Sequence, residues 1–452
     1  MGIGMASHLV KLGHKVTGFD VYEPTLQRFR EAGGHTAASP REAAAGNEVF
    51  ICMVANSQQS ESVLFDTING AVQALPLHAK LILSSTVPAA FLGTVQSRLN
   101  DLGRQDVLLL DCPVSGGTVR AAQGNLTILA SGSESALKEG HAVLSLLSEK
   151  LYTIPGAVGT ASNVKMINQL LAGVHIAASA EAMGLAAKMG LNTRQVYDII
   201  VNAAGNSWMF ENRVPHMLDN DLKPYSALNI FVKDMGIVTA SARQNCFPLP
   251  LSSVAEQLYL SGASQGYGSE DDSGLVRIFN PLSPTIVHEQ AKATISTETL
   301  TPSVTPLEIS KVGFVGLGAM GLGMASSLDR AGFTVSGYDV YEPSTKKFMT
   351  SSEGGLVAST PAEAAKNAEI LILMVQTAAQ AEDVLFGAGK AAEALPDSAI
   401  IILSSTVPPS FARALAARLT SLERNLELID APVSGGVARA SKGQLTVSQD
   451  TI

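Results

Sequence analysis

The chain has 452 residues, and at roughly 100–200 residues per domain this length predicts two to four compact units. Lys and Arg total 31 against 40 Asp and Glu, and the net charge of −9 argues against nucleic acid and anionic membranes as partners. The three cysteines form no close pair, which excludes a disulfide framework and a thiolate zinc site. Contiguous apolar runs stop short of the ~18 residues of a membrane span, and no secretory signal opens the chain. We therefore expect a cytoplasmic protein without a metal.

Two segments of the chain are similar to each other. MGIGMASHLVKLGHKVTGFDVYEP (1–24) returns as MGLGMASSLDRAGFTVSGYDVYEP (320–343), and ILSSTVP occurs at 82–88 and at 402–408. A period of about 320 residues is too long for a solenoid repeat, so the pattern predicts two tandem copies of a whole domain. We expect the first copy to lack the opening strand and glycine turn, and the second to end soon after its Ser-Gly-Gly segment.

A glycine-rich turn opens the second copy. The apolar run VGFV precedes G-x-G-x-x-G, a helix-forming MASSLDRAG follows, and Asp339 comes 23 residues after Gly316. This context predicts a dinucleotide site of the Rossmann type, in which the pyrophosphate sits on a helix N-terminus. Asp339 would accept hydrogen bonds from the ribose hydroxyls and repel a 2′-phosphate, which favours NAD over NADP. The glycines of the turn are Gly316, Gly318 and Gly321.

The coarse pattern divides the chain into four parts. Short β-rich runs alternate with Ala-rich helical stretches in each copy, which predicts a parallel α/β sheet, and from about residue 160 a long stretch without Pro predicts an all-helical domain. The sequence thus predicts an N-terminally truncated Rossmann-type NAD-binding domain (1–158), an all-helical domain (159–280), a flexible linker (281–310) and a second Rossmann-type domain, incomplete at its C-terminus (311–452). In the first copy only Gly2 and Asp20 remain of the dinucleotide fingerprint, so we expect weak NAD binding there.

Two further motifs carry polar groups. A D-x-P-V-S-G-G segment follows an apolar strand in each copy, where its backbone N–H groups and serine hydroxyl would hold a substrate carboxylate; a structural turn is the alternative. Lys165 lies one turn into the predicted long helix, with Asn168 and Gln169 on the same face. Desolvation there would let the lysine exchange protons near neutrality; a surface lysine is the alternative. The carboxylate-binding residues would be Ser115, Gly116 and Gly117, and in the second copy Ser434, Gly435 and Gly436.

Together these motifs resemble the β-hydroxyacid dehydrogenase family, which includes 3-hydroxyisobutyrate, tartronate semialdehyde and 6-phosphogluconate enzymes. GLGAMGLGMA (316–325) matches its fingerprint, and its G-x-x-G-x-G-x-x-x-K-x-x-N segment matches with Ala161 in place of the third glycine. The pair Lys233-Asp234 matches a later motif. LLAGVHIAASAEAM and AAGNSWMFENRVP are similar to L-threonate dehydrogenases in particular. Similar tandem copies occur in fungal and plant proteins that continue into a kinase and an aldolase.

The resemblance implies an NAD-dependent dehydrogenase of a small hydroxy acid. The expected reaction is the oxidation of L-threonate, and a dehydrogenase of the 3-hydroxyisobutyrate or tartronate semialdehyde type is the alternative. It implies Lys165 as the acid/base on the substrate hydroxyl, Asn168 as its orienting partner and Lys233 near the nicotinamide. It also implies a homo-oligomer formed through the helical domain. A non-catalytic NAD-binding module stays open, because the lysine helix and the glycine turn occur in different copies. Further residues expected to line the cofactor are Met53, Val54, Thr86, Met320, Met374, Val375 and Thr406.

Overall fold

The computed structural model describes residues 1–282, 286–293, 309–448 and 450–451. The chain divides into two compact units. The first unit comprises residues 1–194 and 208–293, and the second comprises residues 195–207 together with the described residues from 309 onward.

The strands of the first unit form two separate sheets. They are β1 (Thr17–Gly18), β2 (His35–Thr36), β3 (Val49–Cys52), β4 (Lys80–Leu83), β5 (Leu108–Asp111), β6 (Val114–Ser115), β7 (Leu126–Gly132) and β8 (Ser148–Thr153). β1 and β2 pair in parallel on their own, while the larger sheet has the order β3-β4-β5-β7-β6, with β8 beside β7. β3, β4 and β5 are parallel, and β7 runs antiparallel to β5. Their central residues Leu81, Ile82 and Leu110 are fully buried.

Helices cover this sheet and then continue as an all-helical part. They are α1 (Gly2–Lys11), α2 (Glu23–Glu31), α3 (Pro40–Ala44), α4 (Ser57–Phe65), α5 (Ala89–Asp101), α6 (Gly117–Gln123), α7 (Glu134–Leu147), α8 (Thr160–Lys188), α9 (Thr193–Ile200), α10 (Trp208–Asp219), α11 (Leu228–Gln244), α12 (Pro250–Ser264) and α13 (Val287–Gln290). Helix α9 begins in the first unit, but its residues from 195 onward belong to the second unit. Three 3₁₀ segments add Val72–Ala74, Tyr267–Ser269 and Asp272–Leu282. The predicted Rossmann-type domain followed by a helical domain is confirmed by this architecture.

The long helix α8 is the centre of the helical part. Small residues on α8 allow close packing, because an added Cβ at Gly184 would lie 2.8 Å from Phe279 and one at Gly173 would overlap Met235. By length and composition alone, α8 is long and apolar enough to cross a membrane, although half of its most apolar window is buried inside the protein. The short contiguous apolar runs in the sequence did not reveal this, since the hydropathy is spread along the helix between small residues.

The second unit contains one seven-stranded sheet. Its strands are β9 (Lys311–Val315), β10 (Thr334–Tyr338), β11 (Leu356–Val357), β12 (Ile370–Leu373), β13 (Ile400–Leu403), β14 (Glu427–Asp430) and β17 (Asp450–Thr451), while β15 (Val433–Ser434) and β16 (Thr446–Val447) form a separate antiparallel pair. The order is β11-β10-β9-β12-β13-β14-β17. Its first six strands are parallel, and their 3-2-1-4-5-6 order is that of a doubly wound dinucleotide-binding sheet.

The helices of the second unit follow the strands in alternation. They are α14 (Ala319–Arg330), α15 (Glu342–Ser351), α16 (Pro361–Ala365), α17 (Ala378–Phe386), α18 (Ala391–Ala394), α19 (Pro409–Thr420) and α20 (Gly436–Ala440). Fully buried Phe314, Val335 and Phe348 form a core beneath α14. This core fixes the start of α14 against β9 and β10, where the glycine turn lies.

The predicted linker differs from the structure in its described part. Residues 283–285 and 294–308 lie outside the described residues, but 281–282 end a 3₁₀ segment and 287–290 form α13. Val287 is 3% exposed, and its carbonyl oxygen accepts a 2.7 Å hydrogen bond from the hydroxyl of buried Thr193. The expectation of a flexible tether is therefore wrong for residues 286–293, because an apolar anchor and backbone hydrogen bonds dock them on the helical part.

Candidate active site

The glycine turn follows the central strand of the second unit. Gly316 has φ of 102°, a left-handed conformation that favours glycine. An added Cβ would overlap the Met374 carbonyl oxygen at Gly316, and the Gly316 carbonyl oxygen at Gly321. At Gly318, by contrast, the added Cβ meets no heavy atom of the described residues beyond its own chain neighbours and helix within 4 Å. The turn is therefore closed on the protein side and open above the N-terminus of α14, as a bound pyrophosphate requires.

Asp339 lies beside this turn, at the end of β10. Its Oδ2 accepts a 2.7 Å hydrogen bond from the Leu317 backbone N–H, and its Oδ1 accepts one of 2.8 Å from the Tyr341 N–H. A carboxylate offers about four acceptor positions, so capacity remains for ribose hydroxyls. In the first unit, Asp20 accepts a matching 2.8 Å hydrogen bond from the Tyr22 N–H. Gly2 lies on α1, where an added Cβ would meet Met53 at an ordinary 3.6 Å.

The cofactor loops predicted from the sequence follow the carboxyl ends of neighbouring parallel strands, whereas Met320 lies on α14. Val375 donates its N–H to the Ser405 hydroxyl at 2.9 Å, and Val54 donates to Ser85 at the same distance. These bonds fix the loop after β12 to the one after β13, and likewise the loops after β3 and β4. Of the remaining residues, Met53, Thr86, Met320 and Met374 are half-buried and Thr406 is exposed.

The Ser-Gly-Gly segments adopt one conformation in both units. Gly116 and Gly117 have φ of 136° and 76°, and Gly435 and Gly436 have 137° and 73°. Side chains are disfavoured at such angles, so the backbone N–H groups stay uncovered. Ser115 is half-buried, and its hydroxyl makes no hydrogen bond with any described residue. This loop therefore offers donors to a carboxylate.

Lys165 is buried in the first unit. It is 6% exposed on α8, and its ammonium has no hydrogen-bond partner among the described residues. Burial lowers the pKa of Lys165 to about 8; the Asp234 carboxylate opposes this shift and the Lys233 ammonium adds to it. The alternative of a surface lysine is therefore wrong. The buried Lys165 amine is able to accept or donate a proton near neutrality.

Polar groups connect α8 to α11 and to the sheet. Asn168 is exposed and donates its amide N–H to the Gln169 side-chain oxygen at 2.9 Å, and Gln169 donates to Asp234 Oδ2 at 2.5 Å. Lys233 Nζ lies 2.6 Å from Asp234 Oδ1, a charge contact without hydrogen-bond geometry, and donates to the Thr86 carbonyl oxygen at 2.9 Å. Lys233 therefore joins the helical part to the cofactor loop. The Lys233-Asp234 motif alone does not predict that Gln169 of α8 binds Asp234 of α11, because the two residues are 65 positions apart in the sequence.

Comparisons with known proteins agree with these features. A family model described as the NAD binding domain of 6-phosphogluconate dehydrogenase matches residues 1–156 and 311–449. One described as NAD-binding of NADP-dependent 3-hydroxyisobutyrate dehydrogenase matches residues 159–279. An L-threonate dehydrogenase of Cupriavidus necator is 47% identical, over 62% of this chain and 93% of that relative.

More distant relatives extend the comparison. The mitochondrial 3-hydroxyisobutyrate dehydrogenase of Rattus norvegicus is 30% identical, over 61% of this chain and 83% of the relative. A crystal structure of 3-hydroxyisobutyrate dehydrogenase from Salmonella typhimurium is 42% identical with a TM-score of 0.57, covering 61% of this chain and 95% of that one. The first of the two family models alone spans more than half of the chain. The chain thus belongs to the β-hydroxyacid dehydrogenase family of NAD(P)-dependent oxidoreductases.

Proposed function

We propose that this chain oxidises L-threonate to its 2-keto acid. The observation that carries the chemistry is Lys165, a buried amine whose pKa lies near 8 and whose ammonium has no hydrogen-bond partner among the described residues. The support for the substrate is the 47% identity to an L-threonate dehydrogenase and the 40% identity to another from Pectobacterium atrosepticum.

The residues of the first unit divide the work of this reaction. The neutral Lys165 amine accepts the proton of the substrate hydroxyl while the C–H bond breaks and the C=O bond forms. The loops that carry Val54 and Thr86 would hold NAD, which would supply the hydride acceptor of the reaction. Ser115 and the following glycines hold the substrate carboxylate, and Asn168 orients the hydroxyl. Lys233, held by Asp234 and the Thr86 carbonyl oxygen, positions the cofactor loop.

We infer a preference for NAD over NADP at the second unit. The Asp339 carboxylate lies beside the glycine turn and would repel a 2′-phosphate, while its free acceptor positions suit ribose hydroxyls. Comparing the dissociation constants of NADH and NADPH by fluorescence titration tests this preference, because it reports binding and not turnover at the first unit, and equal affinities contradict it.

We also infer that the chain carries two copies of one Rossmann-type domain, at 1–158 and 311–452, around the helical domain at 159–280. The support is that one family model matches both regions and that their loops share conformations. Ser434, Gly435 and Gly436 would then form a second carboxylate loop. The two buried free thiols, Cys52 and Cys112, support a reducing and therefore cytoplasmic location.

Association of two or more chains through the helical domain is a further part of the proposal. Helix α8 and the residue that follows it expose an apolar stripe at helical spacing. The stripe is formed by Val164, Ile167, Leu171 and Leu185 of the helix and by Met189 directly after it, each 40–59% exposed. Such a stripe is typical of a surface covered by another chain. Light scattering of the purified protein tests this: a mass twice that of one chain or more is expected, and a monomer contradicts it.

A substrate panel tests the proposed reaction. The purified chain is incubated with NAD or NADP and with L-threonate or 3-hydroxyisobutyrate, and in the reverse direction with NADH and tartronate semialdehyde. We expect the highest kcat/KM for L-threonate. A higher kcat/KM for another compound would make that compound the preferred substrate in place of L-threonate. NADH binding without any turnover would support a non-catalytic module instead.

A further inference from the structure

The Asp111 carboxylate lies where three elements of the first unit meet. It ends β5 and has no exposed surface. Its Oδ2 accepts hydrogen bonds from the backbone N–H groups of Gly159 (2.9 Å) and Ser162 (2.8 Å), and its Oδ1 accepts one from the Ser162 hydroxyl (2.7 Å). The Ser131 hydroxyl of β7 donates to Oδ2 at 3.2 Å and accepts from the Ala161 N–H at 3.0 Å. One side chain therefore joins β5, β7 and the start of α8.

These bonds satisfy the first turn of α8. The first four N–H groups of a helix have no partner within it, and here those of Ala161 and Ser162 bind Ser131 and Asp111. A negative charge at this end is also stabilised by the helix dipole. Lys165 follows Ser162 by three residues, less than one helical turn. The position of the Lys165 side chain therefore depends on how firmly this turn is held.

Asp111 also begins the carboxylate loop. Ser115 follows it by four residues, and the backbone of Asp111 pairs with Ser131 in the sheet. We propose that Asp111 is a positioning residue: its carboxylate locks the helix that bears Lys165 onto the loop that bears Ser115. For the reaction itself, this inference rests on the proposed function.

The consequence is measurable on Lys165 itself. Burial is the largest influence on its pKa, and the charges that act on it are Asp234 and Lys233 of α11. If the first turn of α8 loosens, water reaches the amine and the burial effect weakens. The pKa of Lys165 then rises from about 8 toward the ordinary value of lysine near 10.4.

We would measure this pKa by the pH dependence of Lys165 acylation with an amine reagent, followed by peptide mass spectrometry of the full chain. The variants are Asp111→Asn and Ser162→Ala. The matched control is Ser179→Ala, a 4% exposed serine of the same helix whose hydroxyl donates only to the His175 carbonyl oxygen of its own helix. We expect a midpoint near pH 8 for the parent and the control, and an upward shift of about one pH unit or more in both variants.

A second readout separates positioning from mere stability. In Asp111→Asn we expect kcat to fall by about 10- to 100-fold while KM for the dinucleotide stays unchanged, because misplacing the base affects only the chemical step.

If Asp111→Asn melts without cooperativity, Ser162→Ala decides by the same two measurements. An unshifted acylation midpoint, or an unchanged kcat, in a folded variant overturns the proposal. If the parent oxidises no hydroxy acid while the midpoints shift as expected, the proposed function fails and the locking role of Asp111 stands.

Discussion

The two units share their loops but differ in their sheets. The Ser-Gly-Gly segments agree within a few degrees of φ, and the valine–serine hydrogen bond has the same length in both. In the second unit, β9 pairs with both β10 and β12, whereas in the first unit β1 and β3 belong to separate sheets. Local residues therefore set the loop conformations regardless of sheet continuity, while the dinucleotide turn depends on a strand that places it between two neighbours.

The largest expected effect concerns the lysine helix of the first unit. Lys165→Ala removes the base, and we expect turnover to fall by about 10³-fold or more while NADH binding is unchanged. Lys188→Ala, an exposed lysine at the end of the same helix, is the matched control and should leave turnover intact. Steady-state rates with NADH fluorescence titration check this. Substantial turnover in Lys165→Ala would remove this lysine from the mechanism.

Two arginines, one in each unit, form similar ion pairs but differ in burial, so they should differ in their contribution to stability. Arg104 pairs with Asp106 at 2.9 Å and is 15% exposed, whereas Arg424 of the second unit pairs with Asp397 at 2.8 Å and is 28% exposed. Both guanidinium groups also donate to backbone carbonyl oxygens. We expect Arg104→Met to cost about 2–4 kcal/mol and Arg424→Met about 1–2 kcal/mol in free energy of unfolding, measured by denaturant titration.

The Arg104–Asp106 ion pair of the first unit also predicts an effect of pH on stability. The Arg104 hydrogen bond lowers the pKa of Asp106 from 3.8 to about 2. A carboxyl with a lowered pKa contributes stability above pH 4 that is lost as the pH falls toward 2. The advantage of the parent over Arg104→Met should therefore shrink between pH 4 and pH 2. If the difference in free energy of unfolding between the parent and Arg104→Met does not change with pH, the Arg104–Asp106 ion pair is contradicted.

A smaller effect is expected at the glycine turn. Gly318→Val places a side chain in the open space above the N-terminus of α14, so we expect NADH affinity to fall by about tenfold, or 1.4 kcal/mol, with little change in melting temperature. Gly354→Val of the same unit, where an added Cβ meets Asp329 at an ordinary 3.6 Å, is the control. Equal NADH affinities in both variants would place the dinucleotide elsewhere.

The features that could be predicted from the sequence are those that depend on short-range patterns of residues. The glycine turn needs only a strand, three glycines and an acid, and the positions of Gly316 and Asp339 follow from spacing alone. The burial of Lys165 could not be decided from its own helix, because it depends on α11, which lies some 65 residues further along the chain. The docking of residues 286–293 was missed for the same reason, since Val287 finds its partner Thr193 across 94 residues.

The pH dependence of kcat/KM for L-threonate oxidation tests the central claim most directly, because it reports the protonation state of the free enzyme. Oxidation needs the neutral Lys165 amine, so kcat/KM should rise with pH and level off above a midpoint of about 8. A midpoint near the ordinary lysine value of about 10.4, a flat profile, or no oxidation at any pH would contradict the account.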